Sequence, residues 1–156
     1  MTDGFTHLDD KGRARMVDVS GKDVTDRTAI AEAYVTLAAE VADILFEGLL
    51  PKGDALAVVR VAAIMAAKRT PDLIPLCHPL PVDGITVDIE RTDHGARIEV
   101  AAHVTARTGV EMEAITGAAV GAVALYDMVK GLDKGASIGP VQLLSKTGGK
   151  SGEWSR

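Results

Sequence analysis

Cysteine is almost missing from this 156-residue chain, which has a single one, Cys77. A lone cysteine excludes an internal disulfide and any Cys-x-x-Cys metal pair, and it fits a reducing cytoplasm. Aromatic residues make up only 3% of the chain, so a core must be packed from aliphatic and small side chains. The stacking platforms that single-strand nucleic-acid binders use are correspondingly scarce. Excess positive charge is absent too: the formal net charge is -5, which argues against a nucleic-acid partner. The first ten residues lack the basic and apolar regions of a signal peptide, and no apolar run reads as long enough to span a bilayer. A cytoplasmic protein with neither membrane nor nucleic-acid partner is expected.

What is present is enough aliphatic sequence for one compact domain, with 47% hydrophobic residues. A single domain over 1–156 is expected, with a polar arm at 1–12 and a flexible tail rich in Gly and Lys at 145–156. Alternation of apolar and polar residues predicts strands at 13–19 and 25–34. Leu37, Val41, Ile44 and Leu45 make an apolar stripe that predicts a helix from Thr36, ended by Gly48 and Pro51. Residues 54–68 predict a second helix with Asp54 as N-cap, apolar nearly all round and therefore buried. Four prolines in 69–81 forbid regular helix or central strand and fix a rigid loop. Residues 82–90 and 96–105 alternate around Asp93, His94 and Gly95, which predicts an antiparallel hairpin. A long helix follows over 108–134, with Thr108 and Glu111 as a capping box, and then a last strand at 137–144. These elements argue an α+β fold, a ferredoxin-like two-layer sandwich with an antiparallel sheet packed on helices.

The long helix carries most of the chemistry-bearing residues. Glu111 and Glu113 fall in its first turn, where exposed amides favour carboxylates whatever the protein does. Asp127 falls near the other end, where orphan carbonyls push a carboxyl towards its neutral form, as suits proton transfer. Lys130 and Lys134 project within roughly 60° of it at helical spacing. A solvated surface ion pair is an equally good reading of that trio on geometry alone. Gly117 and Gly121 mark close packing against a sheet or a second subunit. His78 sits beside Cys77 in the proline-rigid loop, where a ring can be held against a substrate or simply buried. Lys52 precedes a helix N-terminus, an arrangement that favours an anion. The GGKS run at 148–151 is no phosphate-binding P-loop, because Leu144 stands where the motif needs glycine and no helix follows. The four histidines have no metal-ligand spacing, so no metal is expected.

ARMVDVS at 14–20, PKGDAL at 51–56, MAAKRTPDLIPLCHPL at 65–80, TGVEMEA at 108–114, YDMVK at 126–130 and GGKSG at 148–152 together resemble the molybdenum cofactor biosynthesis protein C family, the cyclic pyranopterin monophosphate synthases. The resemblance implies a lyase reaction in which a cyclised dihydro-GTP, (8S)-3',8-cyclo-7,8-dihydroguanosine 5'-triphosphate, becomes cyclic pyranopterin monophosphate and pyrophosphate is released. A radical enzyme upstream would supply that substrate, and no cofactor is implied, with use of magnesium left open. The resemblance also implies a hexamer built as a trimer of dimers, with the site at a dimer interface. Carried over by motif, Asp127 takes the catalytic acid/base position and Lys130 the adjacent lysine. Leu76, Cys77 and His78 match the loop that holds the substrate, and Met112 and Glu113 match its second contact. Lys52, Arg27, Glu111 and Lys146 are supporting positions.

Two other classes fit parts of this pattern. A non-catalytic ferredoxin-like nucleotide-binding or regulatory module would use the same basic groups, but it gains nothing from Asp127 among lysines. A nucleotide hydrolase would be expected to offer a metal-ligand cluster or a true P-loop.

Overall fold

The computed structural model describes residues 7–150 and 152–156. The expectations for residues 1–6 of the arm and for Ser151 of the tail lie outside the described residues. Five strands, β1 (Thr25–Thr36), β2 (Gly84–Thr92), β3 (Gly95–Ala106), β4 (Ser137–Thr147) and β5 (Trp154–Ser155), make one antiparallel sheet in the order β2-β3-β1-β4-β5. The helices are α1 (Ala39–Phe46), α2 (Ala55–Lys68), α3 (Thr70–Leu73) and α4 (Glu111–Val129). With α2 and α4 packed on one face of the sheet, this is the ferredoxin-like α+β arrangement.

Period-two alternation on the central strands sets the core. Ala29, Ala31, Ala33 and Val35 of β1 and Ile98, Val100, Ala102 and Val104 of β3 are buried against the helices. Such small residues let α4 lie close. A Cβ on Gly117 would stand 3.1 Å from Val100 Cγ1 and 3.2 Å from the Ala63 carbonyl oxygen, and one on Gly121 would stand 3.3 Å from Ala63 Cβ. Both glycines therefore serve the packing of α4 between α2 and β3, not contact with a second subunit. Among the described residues, α4 is the one helix long and apolar enough to cross a membrane, contrary to the reading of the bare sequence, but its apolar residues are largely spent in this core. On the opposite face of the sheet, Glu32 is only 4% exposed. Burial pulls its carboxyl upward, but hydrogen bonds from Gln142 and Arg97 outweigh that and hold it below the usual range.

Several expectations need correction. Residues 13–19 form no strand: only an isolated bridge joins Leu8 and Ala14, and Ala14 and Met16 are exposed, so the alternation has no apolar face to bury. The helix foreseen from Thr36 starts at Ala39, because β1 runs on through Thr36. Asp54 does cap α2, accepting from the Ala57 amide, but α2 is not buried all round: Val58, Val61 and Met65 are half exposed. The proline-rich stretch opens with the short α3, since Pro71 sits in a first turn where its missing N–H costs nothing. The capping box at Thr108 does not form; Val110 is the N-cap without a side-chain bond, and Glu111 turns instead to Lys146. α4 ends at Val129, which leaves Lys134 off the helix. β4 extends through Thr147, and Trp154 and Ser155 pair with Lys146 and Ser145, so the tail adds an edge strand.

Candidate functional site

The expected site residues fall into two groups at opposite ends of α4. At its start, a groove of about 450 Å³ is walled by Val17, Val19 and Lys22 of the segment before β1, by the loop carrying Leu76, Cys77 and His78, and by Thr108, Gly109 and Glu111 to Glu113. The prolines of that loop hold its path extended, so its side chains keep their directions. His78 Nε2 lies 2.8 Å from the Val17 carbonyl oxygen. A carbonyl can only accept, so Nε2 carries a proton and Nδ1 is the ring nitrogen not engaged by Val17. Cys77 is held as a thiol, pushed up by burial and then by the charge of Glu113. Glu113 is 2% exposed. Burial raises its pKa, and Glu111 beside it adds to the rise. In its neutral form it can donate a hydrogen bond into the groove.

Next to the groove is a smaller, polar cleft of about 170 Å³ lined by Lys22, Arg27, Glu111 and Lys146. Lys146 Nζ is 2.6 Å from Glu111 Oε1. Lys146 faces the helix side of β4 because its β1 partner is the core-facing Ala29. Arg27 donates from Nε to the Ala106 carbonyl at 3.0 Å and from Nη2 to the Arg107 carbonyl at 3.2 Å. Gly149, at φ +73, lies so close to that guanidinium that a Cβ there would be 2.1 Å from Nη1. Arg27 thus ties the turn after β4 to the end of β3. Three basic side chains around the N-terminus of α4 favour an anion.

At the far end of α4, Asp127 Oδ1 is 2.7 Å from Lys130 Nζ, and Asp127 Oδ2 is 3.2 Å from Lys52 Nζ. Lys52 also donates to the Asp127 carbonyl at 2.6 Å. The hydrogen bond from Lys130, followed by that from Lys52, holds the Asp127 carboxyl below the usual range, and the same pair raises Lys130. The expectation that the helix end would push Asp127 towards neutrality is overturned, because two ammonium groups in contact outweigh distant orphan carbonyls. Lys134 takes no part among the contacts found, and Lys52 serves Asp127 instead of greeting an anion at the start of α2. Glu111 and Asp127 are sixteen residues apart, about 24 Å along the helix axis. The structure therefore joins Leu76, Cys77, His78, Met112 and Glu113 in one groove, and Arg27, Glu111 and Lys146 in the cleft beside it. It does not bring Asp127, Lys130 and Lys52 to either.

Sequence reasoning missed Lys22, which lines both cavities and whose carbonyl accepts from Arg107 Nε at 3.0 Å. Its signal was the polar turn Ser20-Gly21-Lys22-Asp23, which falls between the expected strands at 13–19 and 25–34 and drew no reading. Among the described residues no group of three His, Cys, Asp or Glu side chains is arranged to hold a metal ion.

A ferredoxin-like sandwich with a buried acid and a half-buried thiol and imidazole beside a basic cleft defines a small-molecule enzyme that handles an anionic substrate. Comparison with known proteins makes this specific. The MoaC family pattern matches residues 16–149, and the chain belongs to that family. It is 56% identical over 154 residues to the cyclic pyranopterin monophosphate synthase of Streptomyces coelicolor, covering 99% of this chain and 91% of that protein. The cyclic pyranopterin monophosphate synthase of Corynebacterium efficiens is 56% identical over 151 residues, 97% of each chain. That of Thermomicrobium roseum is 52% identical over 154 residues, covering 97% and 93%.

Proposed function

We propose that this chain catalyses the reaction for which these relatives are named, forming cyclic pyranopterin monophosphate as a lyase of molybdenum cofactor biosynthesis. The observation that carries the reading is full-length identity above one half to proteins of that name, joined to a groove and cleft built for an anionic, nitrogen-rich ligand. The substrate would be the cyclised dihydro-GTP, delivered in the cytoplasm by a radical enzyme. Forming the cyclic phosphate joins a substrate hydroxyl oxygen to the α-phosphorus and breaks the bond to the β-phosphate. The hydroxyl proton must leave and pyrophosphate must carry the negative charge away. Asp127, ionised by its two lysines, is suited to accept that proton, and Lys130 and Lys52 to hold charge developing on oxygen. Lys22, Arg27 and Lys146 are suited to the phosphates, while Glu113, whose proton is held more tightly than usual, and His78 are placed to meet the ring nitrogens.

No reacting atom can touch groups about 24 Å apart, so the working site takes Asp127, Lys130 and Lys52 from one subunit and the groove from another. A homo-oligomer, with a trimer of dimers as the expected form, follows from that need. The test is direct: purified protein given the cyclised dihydro-GTP should release pyrophosphate and yield a product that becomes a fluorescent pterin on oxidation. Tight binding without turnover would return the chain to the class of binding modules.

A further inference from the structure

We propose that Glu111 is a built-in competitor of the substrate's phosphates: its carboxylate holds Lys146 while the cleft is empty, swings away when phosphate arrives, and returns to displace pyrophosphate after the reaction. This rests on the reading of the cleft as the phosphate site and adds a residue that governs release from it. Three cations line the cleft, Lys22, Arg27 and Lys146, and Glu111 is the one acidic side chain among its lining residues. Lys146 Nζ donates to Glu111 Oε1 at 2.6 Å, a short charge-assisted bond of the kind a phosphate oxygen would make to the same ammonium.

The carboxylate is not where its position in the chain would put it. A glutamate in the first turn of α4 has the start of its own helix to bond, yet Val110 caps that helix without a side-chain bond and Glu111 reaches a lysine 35 residues away on β4. Its other oxygen, Oε2, lies against the turn before the helix, 2.9 Å from where a Cβ on Gly109 would stand. One carboxylate thus lies between Lys146 and the positive end of α4, where an anionic ligand would gain most. The side chains of Lys146 and Glu111 are 31% and 33% exposed, so the pair borders solvent and Glu111 has room to leave.

The reaction separates two ligands that meet this competitor differently. Intact substrate is held at once by the groove, through its ring, and by the cleft, through its phosphates, so those phosphates reach Lys146 at the high effective concentration of a tethered group. Pyrophosphate, once its bond to the α-phosphorus is broken, has the cleft alone. Expelling Glu111 lowers the affinity of both by the same factor, but only the untethered product is left weakly held. Arg27 is tied through Nε and Nη2 to the Ala106 and Arg107 carbonyls, so of these two cations it is Lys146 that exchanges partners.

The test uses inorganic pyrophosphate as probe, titrated calorimetrically into wild type, Glu111→Gln, Lys146→Ala and the double variant at one pH and one salt concentration. Glu111→Gln keeps the shape without the charge and should bind pyrophosphate about tenfold more tightly. Added pyrophosphate should then inhibit its turnover at about a tenth of the concentration needed for wild type. Lys146→Ala should weaken binding, and in that background Glu111→Gln should gain less than about twofold, because no ammonium is left to compete for. Glu111→Ala should repeat the tightening, so a folding fault peculiar to the Gln variant does not decide the matter. Equal gains with and without Lys146 would reduce Glu111 to a repelling charge and overturn the competition. Pyrophosphate binding that weakens or stays the same in both Glu111 variants, while Lys146→Ala is weaker than wild type, would make Glu111 a support for Lys146 and leave the cleft standing as the phosphate site. No binding by any of these proteins would overturn the cleft reading and the proposal together.

Discussion

The two ends of α4 put carboxyl groups in opposite circumstances. Glu113 near the start is 2% exposed and stripped of water, with another carboxylate as neighbour, so its proton is held more tightly than usual. Asp127 near the end is exposed and gripped by two lysines, so its proton is released more readily. Burial governs one and contact charge the other, and the shifts run in opposite directions. A reaction that moves protons both to and from its substrate needs one group of each kind, with pKa values pushed apart. The largest experimental effect should come from disabling the ionised member. Asp127→Asn keeps the shape but cannot accept a proton, and turnover should fall about 10²- to 10⁴-fold while substrate affinity stays nearly constant. Steady-state kinetics with direct binding checks this; an equal loss of both would make the Asp127 cluster a positioning element.

The contrast also shows what a sequence can disclose. The hairpin of β2 and β3, the strand at β1, the Asp54 cap and the sandwich itself were legible, because apolar periodicity and turn residues are local signals. The MoaC motifs supplied the expected roles of the site residues. What could not be read was which neighbours each charge would find. Lys52 is 75 residues from Asp127 in sequence, so the contact that fixes the sign of the Asp127 shift has no local trace. Thr108 and Glu111 matched a capping box, yet Lys146 on β4 captured Glu111, a long-range ion pair winning over a local hydrogen bond. The strand at 13–19 failed for a similar reason: alternation alone does not supply a sheet edge or a core to face.

The lysines at the two ends should divide binding from proton transfer. Lys146→Ala removes a cleft cation suited to phosphate and should weaken substrate binding about 10- to 100-fold, the range for hydrogen bonds to charged groups, with a smaller change in kcat. Lys52→Ala leaves Asp127 with Lys130 alone, so its carboxyl should titrate closer to the ordinary value. The acid limb of kcat should then move to higher pH, with binding less affected. Calorimetric titration with the cyclised dihydro-GTP, set against pH–rate profiles, reads the two effects independently. If Lys146→Ala altered the pH profile and Lys52→Ala only the affinity, the roles of the two ends would be reversed.

The smallest effect, and the one that isolates burial, is on stability. A raised carboxyl binds its proton more tightly folded than unfolded, so between the ordinary carboxylate pKa and its own raised value the folded state holds more protons. Stability from this group is then full at low pH and is lost as pH climbs through that window. Glu113→Gln keeps the shape and never ionises. It should be more stable than wild type by about 1 kcal/mol at neutral pH, the order of leaving one buried polar group poorly satisfied, with the gap closing below the ordinary carboxylate range. Asp127, whose pKa is lowered, contributes in the opposite sense, its stabilisation being lost as pH falls through that lowered value. Urea titrations of both Glu113→Gln and Asp127→Asn across this range separate the two. A Glu113→Gln chain less stable than wild type at neutral pH would mean that the carboxylate is ionised and satisfied in the fold, and Asp127 would then have to supply acid as well as base.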